Sequence, residues 1–135
     1  MRFTERVYRE LLNSPACPPE TGGILGGDGV TIDCRVMDRS VGGEDTYSPD
    51  AAFLNRAAAA WCEAGRLFMG MFHTHPEGCR ELSRADIRYI NRIVQAFGAG
   101  RYLYFPVVIP QKEIIGFRAE KRNDILILRD EIQIG

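Results

Sequence analysis

Apolar positions along this chain recur with two periods, and the switches between them divide it into elements. Val7, Tyr8, Leu11 and Leu12 stand at helical spacing with charges between them, which predicts a short amphipathic helix over residues 4–13. Pro15, Pro18 and Pro19 stop it. Gly22-Gly23-Ile24-Leu25-Gly26-Gly27 reads as a strand poor in side chains, of the kind that a backbone or a ligand approaches closely. Asp28-Gly29 separates it from the run 30–36 and signals an antiparallel hairpin. Residues 38–48 read as loop. Ser48 then caps a helix with Pro49 in its first turn, running to Glu63 with Phe53, Leu54, Ala57, Ala58 and Trp61 on one apolar stripe.

The stretch 66–75 alternates with period two, placing Met69, Met71, His73 and His75 on one face and Phe68, Phe72 and Thr74 on the other. Apolar residues on both faces predict a central strand covered on both sides. A second helix over 83–97 turns Ile87, Ile90, Ile93, Val94 and Phe97 inward, and Gly98 and Gly100 end it. Residues 102–109 form an apolar strand in which Pro106 argues for an edge or a bulge. Further strands are expected over 113–119, 125–128 and 131–135. The mixture predicts an α/β fold, an α-β-α sandwich with a central mixed, largely antiparallel sheet. Residues 1–135 read as a single domain with no repeat or linker.

Composition narrows the class. Apolar residues make up 45% and charged residues 26%, near globular averages, so neither disorder nor membrane residence is expected. A net charge of -1 without a run of like charges gives no reason to expect nucleic acid or an anionic membrane as the main partner. No apolar stretch approaches a membrane span, and Arg2, Glu5 and Arg6 put charge where a signal peptide needs apolar residues, so a cytoplasmic setting is expected. Cys17, Cys34, Cys62 and Cys79 contain no Cys-x-x-Cys pair, which disfavours a zinc ribbon and suits free thiols in a reducing compartment. The glycine-rich strand lacks the lysine of a phosphate loop, which excludes that mode of nucleotide binding.

The chemistry gathers around Phe72-His73-Thr74-His75-Pro76. The chain has 2 histidines and spends both here, one residue apart, on one face of a strand. Downstream, Ser83-Arg84-Ala85-Asp86 opens a helix that turns the Asp86 carboxylate back toward them. Two imidazoles and one carboxylate are the ligand set of catalytic zinc, with a fourth position left for water. Ser83 and Asp86 also fit a capping box, and a capped helix start would hold both rigidly. Cys79, in the intervening loop, reads as a spectator in preference to a fourth ligand that closes the site or an oxidation-sensitive thiol. Hydrolysis requires a base as well. Glu20, Glu77 and Glu81 are candidates, and spacing does not choose among them, although Glu77 and Glu81 sit in an expected surface loop.

His73-x-His75-Pro76, the seven residues 76–82 and Ser83-x-x-Asp86, preceded by Glu20-Thr21-Gly22-Gly23-Ile24-Leu25-Gly26-Gly27, together resemble the JAMM motif of the JAB1/MPN metalloprotease family in its compact prokaryote-type form. That resemblance implies a layout similar to cytidine deaminases, although the Pro-Cys-x-x-Cys of a deaminase is absent. It implies Zn2+ on His73, His75 and Asp86, with Glu20 as general base and then acid and Ser83 stabilising the oxyanion. The implied reaction cleaves an amide or isopeptide bond after the C-terminal Gly-Gly tail of a ubiquitin-like or sulfur-carrier protein, the tail docking as an added strand along 20–27 or 79–82. Without the inserted segments of eukaryotic deubiquitinases, a small β-grasp carrier is the expected substrate. The competing expectations are a non-catalytic MPN-type scaffold, which typically lacks these residues, and a structural site closed by Cys79. Imidazole and carboxylate also suit iron, nickel or manganese.

Overall fold

The computed structural model describes residues 1–38, 50–97 and 100–135. After the two-residue strand β1 (Arg2–Phe3), helix α1 (Glu5–Leu12) begins where the Thr4 hydroxyl accepts the Val7 N–H at 3.3 Å. β2 (Gly22–Gly27) and β3 (Thr31–Met37) form the expected hairpin, with the Asp28 carboxylate accepting the Val30 and Thr31 N–H groups. Helix α2 (Ala51–Glu63) is capped by Asp50, whose carboxylate accepts the Phe53 N–H at 3.1 Å. Ser48, Pro49 and Gly98, expected at helix ends, lie outside the described residues.

β4 (Leu67–Thr74) is the spine of the sheet. It pairs antiparallel with β2 on one side and parallel with β5 (Tyr102–Tyr104) and β6 (Val107–Ile109) on the other. β7 (Glu113–Lys121) runs antiparallel to β5 and β6, and β8 (Ile125–Asp130) pairs with its far edge. Beyond β2 lie β3, β1 and the short β9 (Gln133–Ile134), the last three joined in parallel. Helices α2 and α3 (Arg84–Phe97) cover one face with a core of Ile24, Met71, Ile90, Val94 and Phe105. α1 covers part of the other face through Val7 and Leu11, packed with Leu25, Phe72 and Val108. This is the mixed-sheet sandwich that the pattern predicts.

Three details differ from the simple pattern. The pairing of β2 with β4 shifts register between Leu25 and Gly26, opposite Gly70, whose φ is 144°. A β-bulge there resets the alternation, so Phe68 packs on the α2 and α3 side with Met71 while Met69 joins Phe72 on the α1 side. Pro106 is not at a sheet edge: it separates β5 from β6, both of which pair with β4 and β7. Proline has no N–H to donate, so the strand breaks there, and the Pro106 carbonyl accepts the His73 N–H. Finally, Ile87 and Phe97 of α3 are 40% and 46% exposed, while Tyr89 and Asp86 take inward positions.

Candidate metal centre

Both histidines emerge where β4 leaves the core. His73 sits opposite Gly22 in the β2–β4 register, beside a residue without a side chain, and is completely buried. His75 follows on the same side after one residue. Thr74 points the opposite way, and its hydroxyl accepts the Thr21 N–H at 2.9 Å while its own N–H reaches the Thr21 carbonyl at 2.8 Å. That latch holds the residue after Glu20 against β4 and delivers the buried Glu20 carboxylate to the histidines.

The polar atoms converge. His73 Nε2 and His75 Nε2 are 2.8 Å apart, and Asp86 Oδ2 lies 3.2 Å from the first and 3.1 Å from the second. Glu20 Oε1 stands further out, 3.9 Å from His75 Nε2. Glu20, His73 and His75 each offer a ligand atom within 4.8 Å of the others, which makes them a candidate metal-binding triad. Asp86 adds a second carboxylate oxygen against the same two nitrogens. Tetrahedral zinc with bonds of roughly 2.0–2.1 Å separates its ligand atoms by about 3.3 Å, so the triangle of His73, His75 and Asp86 fits the ion with a small expansion.

Each imidazole is fixed from behind. His75 Nδ1 donates to the Cys79 carbonyl at 2.9 Å, and a carbonyl only accepts, so that nitrogen carries the proton and a neutral ring turns its Nε2 lone pair inward. His73 Nδ1 meets the hydroxyl of buried Tyr89 at 2.9 Å. Burial pushes His73 below the ordinary imidazole range against the opposing pull of Asp86, which favours the neutral, ligating form. Burial also pulls His75 down, but Asp86, the Cys79 carbonyl and Glu20 outweigh it and raise His75. For Asp86, burial favours the neutral acid, yet the adjacent imidazoles of His73 and His75, with the Ser83 N–H, prevail and hold the carboxyl well below its usual range.

Ser83 completes a capping box. Its N–H donates to Asp86 Oδ2 at 2.8 Å, and its hydroxyl oxygen accepts the Asp86 N–H at 3.1 Å. The structure therefore brings together Glu20, His73, His75 and Asp86, with Ser83 bonded to the last. The other two candidate bases lie apart from this cluster: Glu77 pairs with Lys112 and Glu81 with Arg129, both on the surface. The Cys79 thiol is exposed, and it is the backbone of that residue that engages His75. Sequence reasoning missed Tyr89 and Thr74. Tyr89 had a signal, because three residues after Asp86 on a helix lies on the same face. Thr74 had one in its parity, which sends it away from the histidines.

The sequence profile of the prokaryotic homologs of the JAB domain matches residues 4–120. A solution structure of a protein from Desulfitobacterium hafniense is similar in fold, with a TM-score of 0.70 at 23% identity over 99% of this chain and 92% of that one. A crystal structure of a JAB1/MPN domain protein from Archaeoglobus fulgidus gives a TM-score of 0.57 at 16% identity over 99% of this chain and 98% of that one. A solution structure of a protein from Salinibacter ruber gives 0.62 at 16% identity over 100% and 92%. No functionally curated protein matches the sequence. A profile that spans nearly the whole chain, a shared sandwich fold and a buried cluster of histidines and carboxylates lead to one assignment: the chain belongs to the prokaryotic homologs of the JAB domain.

Proposed function

We propose that this protein is a zinc-dependent isopeptidase or peptidase that hydrolyses the amide bond after the C-terminal Gly-Gly tail of a ubiquitin-like or sulfur-carrier protein. The observation that carries the reading is the convergence of His73 Nε2, His75 Nε2 and Asp86 Oδ2 within 3.2 Å of one another, with a buried Glu20 beside them. His73, His75 and Asp86 would hold the ion. When bound, zinc polarises a carbonyl and lowers the pKa of coordinated water toward neutrality. Glu20, with Oε1 3.9 Å from His75 Nε2, stands beside the ligand atoms, where its carboxylate would face a coordinated water. It takes a proton from that water and passes it to the leaving amine. Ser83 accepts the Asp86 N–H on its oxygen, so its own O–H hydrogen can turn to the oxyanion of the substrate.

The scaffold reading gains nothing from burying Glu20 against the two histidines. The closed-site reading would need the Cys79 sulfur among the ligands, and that thiol faces solvent. No helix among the described residues is long and apolar enough to cross a membrane, and a cytoplasmic setting belongs to the same proposal. The test is hydrolysis of a fluorogenic Gly-Gly-Lys isopeptide, and of carrier conjugates, by the zinc-loaded protein. Glu20→Gln is expected to lose at least about a hundredfold in rate while keeping its metal. Full activity in Glu20→Gln would remove the base, and a metal-loaded wild type inert toward every carrier tail would return the scaffold.

A further inference from the structure

Helix α3 leads away from the candidate metal centre, and its outer face carries Arg84, Arg88 and Arg92 at intervals of four residues. Side chains so spaced share one side of a helix, and the row spans about 12 Å. All three are exposed, and among the described residues none meets a carboxylate. Asp86, the one acid in the helix, faces inward to the histidines. Several other surface cations are neutralised in place: Arg9 by Glu5, Arg66 by Asp33, Arg80 by Glu113, Lys112 by Glu77, Arg129 by Glu81. Arg2 and Lys121 meet amide side chains and Arg101 meets backbone carbonyls, whereas three unpaired arginines follow one another only along α3 among the described residues. A row of like charges four apart works slightly against its own helix, and a chain of net charge -1 does not need it for solubility. Ile87 is also exposed, one turn from Arg84 at the flank of the row. Arginine beside an apolar anchor is the composition of protein interfaces, and an exposed isoleucine adds nothing to a phosphate-binding surface.

We infer that Arg84, Arg88 and Arg92, with Ile87 at their flank beside Arg84, form the docking face for an acidic surface on the protein whose tail enters the metal centre. This rests on the proposed hydrolysis of a protein tail. The row begins at the residue after Ser83, so a folded substrate held by its tail at the site would lie against α3. Long-range attraction between the row and an acidic face would raise the encounter rate and orient the carrier, and it would weaken with salt.

The test is fluorescence anisotropy with a labelled Glu/Leu-rich peptide, a Lys/Leu-rich counterpart and a DNA oligonucleotide, each at low and high salt and with and without zinc. The acidic peptide should bind at low salt, and the double variant Arg88→Glu/Arg92→Glu should weaken it at least about tenfold. Ile87→Ser should weaken it separately. The double variant should still hydrolyse the short Gly-Gly-Lys isopeptide at the wild-type rate, whereas an acidic carrier conjugate should show a raised KM at unchanged kcat. Undiminished peptide binding in the double variant, or preferential binding of DNA through the same arginines, would overturn the inference. A wild type that binds the acidic peptide but hydrolyses neither substrate would overturn the proposed reaction instead, and the two failures are separable.

Discussion

Tyr89 Oη and His73 Nδ1 stand 2.9 Å apart, both buried, at the root of the candidate metal centre. The phenol comes from the same face of α3 as Asp86, so one helical turn supplies a carboxylate to Nε2 and a hydroxyl to Nδ1 of a single imidazole. Metal-binding histidines depend on such partners for tautomer and orientation. Tyr89→Phe keeps the ring and its packing on Phe105 and removes only the hydroxyl. Zinc affinity, measured by competition with a chelator, should fall about 10- to 100-fold with the far-UV circular dichroism unchanged. Wild-type affinity in Tyr89→Phe would show that the contact does not position His73.

Gly70 tests the bulge that aims the strand. Its φ of 144° lies where side chains are strained, and a Cβ there would collide with the Tyr104 carbonyl of the adjacent strand. Gly70→Ala should cost about 2–4 kcal/mol in denaturant unfolding. A loss within experimental error would mean that the β4–β5 contact relaxes freely.

The thiols give a prediction in pH. Burial, reinforced by neighbouring Asp33, raises Cys34 to about 11, so at pH 8 only about one molecule in a thousand carries the reactive thiolate there. Alkylation followed by mass spectrometry should label exposed Cys62 and Cys79 first, and the Cys34 rate should keep climbing with pH above the range of an ordinary thiol. Cys79 should label equally with and without zinc. Protection of Cys79 by zinc would identify its sulfur as a ligand and revive the closed site.

Much of this was legible in the sequence because the relevant signals are local. The helices of Val7 and Leu11 and of Ile90 and Val94 follow from spacing alone, and the hairpin at Asp28-Gly29 from turn chemistry. The pairing of His73 with His75 follows from strand parity. What stayed hidden depends on contacts between distant segments. The bulge at Gly70 reverses the sides of Phe68 and Met69, and it is set by the approach of the Tyr104 backbone. Pro106 could not be placed from its missing N–H, because a break between two collinear strands and a position on an edge satisfy that constraint equally. Spacing left Glu20, Glu77 and Glu81 equivalent as bases, and only the Thr21–Thr74 latch, joining residues far apart in the chain, sets Glu20 beside the histidines.

If His73, His75 and Asp86 hold a catalytic metal with an open position, metal content must follow their substitution and not that of Cys79. Elemental mass spectrometry on purified wild type, Cys79→Ser and Asp86→Ala, each loaded with zinc and desalted, is the measurement. Stoichiometric zinc is expected in the first two and weakened or lost zinc in Asp86→Ala. A wild type that retains no zinc, or zinc that survives Asp86→Ala but leaves with the Cys79 thiol, would contradict that ligand set.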